Sequence, residues 1–366
     1  MSRLALTLVV GFVWAMPSLA ENPHVNPSHL PGGCSSCHAG HGDPGSRMLP
    51  GPQRDVCLRC HGTQAKLDLE IDKGNLASTS RPTLLEAVLE LPFRHPTGDD
   101  SSSKKGVEGA ACTSCHSPHR SPANRTLGSS ALPGRKVSGR DPSKLEYETC
   151  QTCHGNQGVK TQDREDLSRL LSPNNPSFHP VEAPAISRSP SLPMEMSGKT
   201  INCTDCHGNS DPDGPRGVHG SSVRYLLSEQ YSTTDGVPES PDTYALCYDC
   251  HDREVVLNSR RFPEHRSHVI SAMASCATCH DPHGSPDNRA LIRIAKDTKL
   301  TGISPSISTG ILAFESAVPG SGSCSLTCHG FDHAPESYGI PGRSRPATDP
   351  ASRLGGKIPA QHPPRR

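Results

Sequence analysis

The sequence predicts a mostly irregular chain with short α-helices and little β-structure, built as four repeats and held together by something other than a side-chain core. Three observations predict it. The composition is poor in core-forming residues: 32% are hydrophobic and 4% aromatic, with 33 glycines and 36 prolines among 366 residues. Soluble domains run nearer half apolar, so side-chain burial alone falls short of what ordering this backbone costs. There are sixteen cysteines, and all fall in one kind of motif. That motif recurs in pairs along the chain, which marks a repeat architecture.

The cleanest copy is residues 276–291, C-A-T-C-H-D-P-H-G-S-P-D-N-R-A-L. Its C-x-x-C-H core is the attachment signature of haem c. The two thiols add across porphyrin vinyl groups to form thioethers, and the histidine takes one face of the iron. The first four copies are Cys34, Cys37, His38; Cys57, Cys60, His61; Cys112, Cys115, His116; and Cys150, Cys153, His154. Three more are Cys203, Cys206, His207; Cys247, Cys250, His251; and Cys276, Cys279, His280. The eighth, Cys324, Cys328 and His329, has one extra residue between its cysteines. Eight covalently bound haem c groups are therefore expected, each with its iron. Zinc ribbons also use paired C-x-x-C, but they do not explain a histidine after every pair. Disulfides suit an exported chain, yet seven identical spacings do not suit disulfides. Each porphyrin brings an apolar surface whose burial replaces the missing core, so the apoprotein is expected to be largely unfolded.

Residues 1–20 read as an export signal, with Arg3, an apolar run over 4–14 and small residues ending at Ala20. That run is too short to span a membrane and no later one is long enough. The mature chain is expected in the periplasm, or secreted or at the cell surface, with no transmembrane segment. Four two-haem modules are expected at 21–80, 81–172, 173–258 and 259–335, followed by a Pro-rich basic tail at 336–366. Short helices are predicted at 83–91, 165–171, 222–228 and 242–251, and strand signals are weak. Formal charge is zero, and about two propionates per haem make the loaded protein acidic. No basic stripe with interleaved aromatics points to nucleic acid.

The second axial ligand separates wiring from catalysis, because an iron with both faces taken exchanges electrons and an open one binds substrate. Twelve of the twenty histidines lie outside the motifs. Each module has one upstream of its first motif: His29, His95, His179, and either His265 or His268, with His268 preferred. Each has another after that motif: His41, His119, His219 and His283. These eight are the distal candidates. His24 and His362, near the termini, read as ordinary exposed histidines. Trans histidines on one iron need α-carbons roughly 12–13 Å apart, and three residues span at most about 10 Å. His41, His119 and His283 are therefore expected to serve haems other than those of His38, His116 and His280. An arginine and a leucine recur beyond: Arg47 and Leu49, Arg125 and Leu127, Arg224 and Leu226, Arg289 and Leu291. The arginines are candidates to neutralise propionates, and the leucines to pack on porphyrin. Met48, Met194, Met196 and Met273 are alternative axial ligands, with histidine favoured.

The run C-x-x-C-H-x-P-H-G-S, followed by a second C-x-x-C-H, resembles the doubled-motif multihaem cytochromes c. The resemblance covers about residues 29–333 and departs at the His207–His219 gap and at Cys324–Cys328. It implies a non-catalytic carrier between respiratory redox partners: other cytochromes, redox proteins or a porin–cytochrome conduit leading toward extracellular acceptors. Two alternatives are weighed. One is a reductase or oxidase of nitrite, hydroxylamine or sulfur oxyanions with one open haem. The other is a structural subunit of a larger redox complex.

Overall fold

Two cysteines three apart come to one side of the chain only on a helical turn, and that requirement sets the local structure. The computed structural model describes residues 22–40, 48–97, 110–119, 142–155, 165–185, 189–259, 261–294, 302–316 and 320–339. Six helical segments lie in the first half: α1 (Gln53–His61), α2 (Gln64–Asp72), α3 (Glu86–Leu89), α4 (Cys112–Cys115), α5 (Pro142–His154) and α6 (Leu167–Leu170). Three follow: α7 (Ala245–Tyr248), α8 (Arg253–Leu257) and α9 (Cys276–Cys279). The regular motifs occupy α1, α4, α5, α7, α9 and 3₁₀ turns at Gly33–Ser36 and Cys203–Asp205. In five of them the histidine N–H closes the turn onto the first cysteine's carbonyl, at 2.9–3.0 Å.

Helical turns lie inside three of the predicted stretches, as α3, α6 and α7, whereas the tight turn at Arg224–Leu226 inside the fourth is left-handed at Tyr225 and Leu226 and is not a helix. The sequence reading did not single out α2, which Thr63 caps by accepting a hydrogen bond from the Lys66 N–H. Its Leu67 packs with Leu30 and Leu76. A second small cluster joins Tyr244, Leu257 and Val269. These clusters are far smaller than a core for a chain of this length. Among the described residues no helix is long and apolar enough to cross a membrane.

Regular sheet is scarce and mostly C-terminal. β1 (Ser177–Phe178) pairs antiparallel with β2 (Gly284–Ser285). Four more strands form one antiparallel sheet: β3 (Ile303–Ser304), β4 (Ala313–Glu315), β5 (Gly322–Cys328) and β6 (Phe331–Tyr338). β3 and β4 share one edge of β5, and β6 takes the other. β5 reads G-S-C-S-L-T-C, with few residues of high β-propensity, so its extended form depends on the strands flanking it. The expected export signal, His41, Arg47, Arg125, Leu127, His362 and the tail beyond residue 339 lie outside the described residues.

Candidate functional site

Among the described residues eight pairs of histidine rings face one another. Second-motif histidines meet a histidine upstream in their own repeat: His61 with His24 at 6.0 Å between ring centres, His154 with His95 at 6.2 Å, and His251 with His179 at 6.4 Å. First-motif histidines meet a histidine of the next repeat: His38 with His119 at 6.0 Å, His116 with His219 at 6.0 Å, and His207 with His283 at 6.3 Å. In the last repeat His280 meets His265 at 6.2 Å, and His268 meets His333 at 6.1 Å. A metal–imidazole bond of about 2 Å on each side, plus the reach from nitrogen to ring centre, spaces two trans imidazoles at roughly 6 Å. The pairs fit an iron held between them.

The protonation pattern fits as well. The Nδ1 atoms of His61, His95, His207, His219, His268 and His280 lie 2.8–3.2 Å from the carbonyls of Thr83, Val218, Tyr225, Arg216, Glu264 and Ala290. Donation of N–H from Nδ1 to such a carbonyl leaves the Nε2 lone pair for a metal. The buried Nδ1 atoms of His24, His38, His265 and His333 have no hydrogen-bond partner within the protein. Burial, and next the facing histidine, holds His116, His179 and His265 at about 4. They are neutral at pH 7, which is the metal-binding form.

Two features of this arrangement were not among the expected roles. The residue between the recurrent arginine and leucine adopts a left-handed conformation: Met48 at φ 53°, Tyr225 at φ 64° and Ala290 at φ 55°. This turn aims the Tyr225 and Ala290 carbonyls at motif histidines His207 and His280. Arg224, expected at a propionate, lies 4.7 Å over the Tyr225 ring. Asp281, fully buried, accepts from the His283 N–H at 3.0 Å, lies 3.2 Å from its Nδ1, and is bound on its far side by Arg293. A carboxylate behind a histidine strengthens it as a ligand.

The repeats interlock at the segments that carry the distal rings. The Asn22 amide donates to the Pro118 carbonyl at 2.9 Å, beside His24 and His119. Phe93 bridges Ser221, beside His95 and His219, and β1 bridges β2 beside His179 and His283. A Cβ at Gly220 would collide with the Val88 carbonyl oxygen, and one at Gly284 with that of Leu170. These close approaches therefore require glycine.

The cysteines of consecutive motifs also lie near one another. Burial, then Glu70 and the Cys37 thiol, pushes Cys60 up to about 11. Burial and then Cys153 raise Cys115. Burial, then Asp205 and Cys250, pushes Cys206 to about 12. Burial, then Cys324 and Cys328, pushes Cys279 to about 12. Sulfur hydrogen bonds join Cys150 to Cys203 and Cys247 to Cys276, raising the first thiol of one pair and the second of the other. Between the first two repeats Gln53, four residues before Cys57, bonds Thr113, beside Cys112, at 3.0 Å. The motifs thus follow one another in space in their order along the chain.

Among the other candidates, His29 lies 3.1 Å from the Ser80 hydroxyl and faces no second ring among the described residues. His24, read from sequence as an ordinary exposed histidine, faces His61 in its place. His329, the histidine of the eighth motif, has its Nε2 3.1 Å from Asp235. Met194 and Met273 are exposed. No group of three or more His, Cys, Asp or Glu side chains converges as a metal cage among the described residues.

Residues 104–291 match the family model described as outer membrane cytochrome MtrC/MtrF-like, domains II/IV, and residues 29–66 match the doubled CXXCH motif model. No curated protein and no solved structure matches the chain.

Proposed function

Because the chain belongs to the MtrC/MtrF-like outer-membrane cytochrome family, we propose that it is an octahaem conductor in which every iron is closed on both faces by histidine. Its coarser identity is settled by the family: a multihaem c-type cytochrome of the periplasm or cell exterior, acting in electron transfer as a carrier and not as a catalyst. When bound, haem c supplies one-electron exchange between ferric and ferrous iron.

The observation that carries the proposal is that each motif histidine from His38 to His280 faces a second histidine at 6.0–6.4 Å. A reductase needs an iron with one face free for substrate, and this pairing leaves none at those seven sites. The distal ligands in this reading are His24, His95, His119, His179, His219, His265 and His283. Asp281 and the carbonyls behind the Nδ1 atoms fix ring orientation and keep the imidazoles electron-rich. The nearness of successive cysteine pairs, from Cys37 and Cys60 through Cys279 and Cys324, supports a linear path in sequence order. The two-haem modules at 21–80, 81–172, 173–258 and 259–335 are units of that path. Its partners are other redox proteins, including a porin–cytochrome conduit.

Protein-film voltammetry of the purified holoprotein tests the reading. Reversible one-electron couples, unchanged by nitrite or hydroxylamine, are expected. A catalytic wave with either substrate would overturn it.

A further inference from the structure

The eighth motif breaks the rule that the other seven keep, and the break is informative. In the regular motifs a helical turn carries the histidine back over its own cysteines. Cys324 and Cys328 instead lie on the extended strand β5, with Leu326 between them. Alternation along a strand puts Leu326 and Cys328 on one face, and the ladder shifts register between Leu326 and Cys324. Leu326 is paired across the ladder with His333 of β6, and cross-strand partners share a face. His333 therefore stands on the face of the ladder that carries Leu326 and Cys328. His329 lies past the end of β5 in a left-handed conformation, φ 48°, and its Nε2 is engaged by Asp235. Asp235 is held in turn by the Ser275 N–H at 2.7 Å and the Thr278 hydroxyl at 2.6 Å.

The ring facing His333 is His268, at 6.1 Å and 23° between planes. His268 sits on a π-helical turn, Ser267–Ser271, with its Nδ1 2.8 Å from the Glu264 carbonyl. Such turns often mark functional positions. His333 has a buried Nδ1 with no partner within the protein. Phe262 packs on His268 at 5.6 Å and on Tyr338 at 4.8 Å, fixing the two sides of the site relative to each other. Every other facing pair contains a motif histidine, and this one does not.

We propose that the eighth haem iron is held by His268 and His333, and that the motif's own His329 is a positioning residue bound to Asp235. The proposal rests on the reading of the chain as a haem conductor, and it changes which residues complete the terminal site. With His329 joined through Asp235 to Thr278 of the seventh motif, the site would continue the same path and form its C-terminal end. The extra residue in the motif then marks an exchange of helical for strand geometry, with the ligand supplied from the neighbouring strand.

The test uses holoprotein and the variants His329→Ala, His333→Ala and His333→Met, with haem counted by intact mass and spin state read by low-temperature electron paramagnetic resonance. His329→Ala should keep eight haems, all low-spin. His333→Ala should keep eight and turn about one in eight high-spin, because one axial position opens. If His333→Ala does not mature, His333→Met decides: a low-spin protein with one couple raised in potential is expected of a histidine–methionine iron. A purely structural His333 would leave that couple unmoved. Seven haems in the unsubstituted protein, or a high-spin signal from His329→Ala with none from His333→Ala, overturns the proposal. In either event, low-spin spectra from the remaining irons keep the conductor reading intact, so the two fail separately.

Discussion

The His283 ring lies 6.3 Å from that of His207, with only 4° between their planes. Seventy-six positions of sequence separate the two residues, and His283 sits three residues from another motif histidine, His280. The repeat thus sends its trailing histidine to the repeat before it. Replacing His283 with Ala should turn one iron high-spin, the one attached through Cys203 and Cys206. Paramagnetic resonance on the variant reads the effect. Loss of the new signal when Cys203 and Cys206 are also removed identifies the site.

Asp281 offers a finer control. Its carboxylate stands behind His283 and is anchored by Arg293, which Glu165 binds in turn at 2.6 Å. Asp281→Asn keeps the shape but removes the charge, making the imidazole a weaker donor to ferric iron. One couple should move upward. A tenfold loss of preference for the ferric state corresponds to about 59 mV for one electron, and a shift of that order in a redox titration is expected.

Gly220 and Gly284 permit close approaches to α3 and α6 of another repeat. Alanine at either position meets a backbone carbonyl, of Val88 or Leu170. Overpacking of this kind costs about 1–3 kcal/mol. Gly284→Ala should lower the denaturation midpoint and loosen His179 and His283 together, visible as broadened low-spin signals from two sites and not one.

Acid stability should depend on Glu239. The Arg253 guanidinium bonds its carboxylate at 2.6–2.8 Å and holds it below the ordinary carboxylate range, against the opposing effect of burial. Tyr248 adds a hydrogen bond at 3.0 Å. A depressed folded value means the unfolded chain binds the proton more readily. The contribution is present above the ordinary value of 4.5 and is lost as pH falls through the lower folded value. Arg253 is about a third exposed, so solvent reduces the worth of the pair. Glu239→Gln should cost about 1–2 kcal/mol at pH 7 in denaturant titrations, and the gap should close toward pH 3.

The attachment chemistry was legible because C-x-x-C-H is a local pattern, and local turns realise it. His95, His119, His179, His219, His268 and His283, each of which faces a second histidine ring, stood out in the sequence because repeats expose their own periodicity. Pairing was only half legible. Spacing shows that residues three apart cannot embrace one iron, but it does not say which distant ring closes each site. His24 was hidden by its position near the terminus, and beside its place opposite His61 lies the Asn22–Pro118 contact with a segment almost a hundred residues away. The arginine–x–leucine element looked like charge for propionates. Its structural part is the backbone of the middle residue, which varies among Met48, Tyr225 and Ala290 and leaves no side-chain signature. β5 was missed because it is polar and gains its strand form from β3, β4 and β6.

The central claim is that the irons are closed on both faces by histidine. Low-temperature electron paramagnetic resonance of the fully oxidised holoprotein, recorded with and without cyanide or nitrite, tests it most directly. The account predicts low-spin ferric signals for all haems counted by mass, unchanged by either ligand. A high-spin signal amounting to a whole haem, converted to low-spin by cyanide, would contradict it.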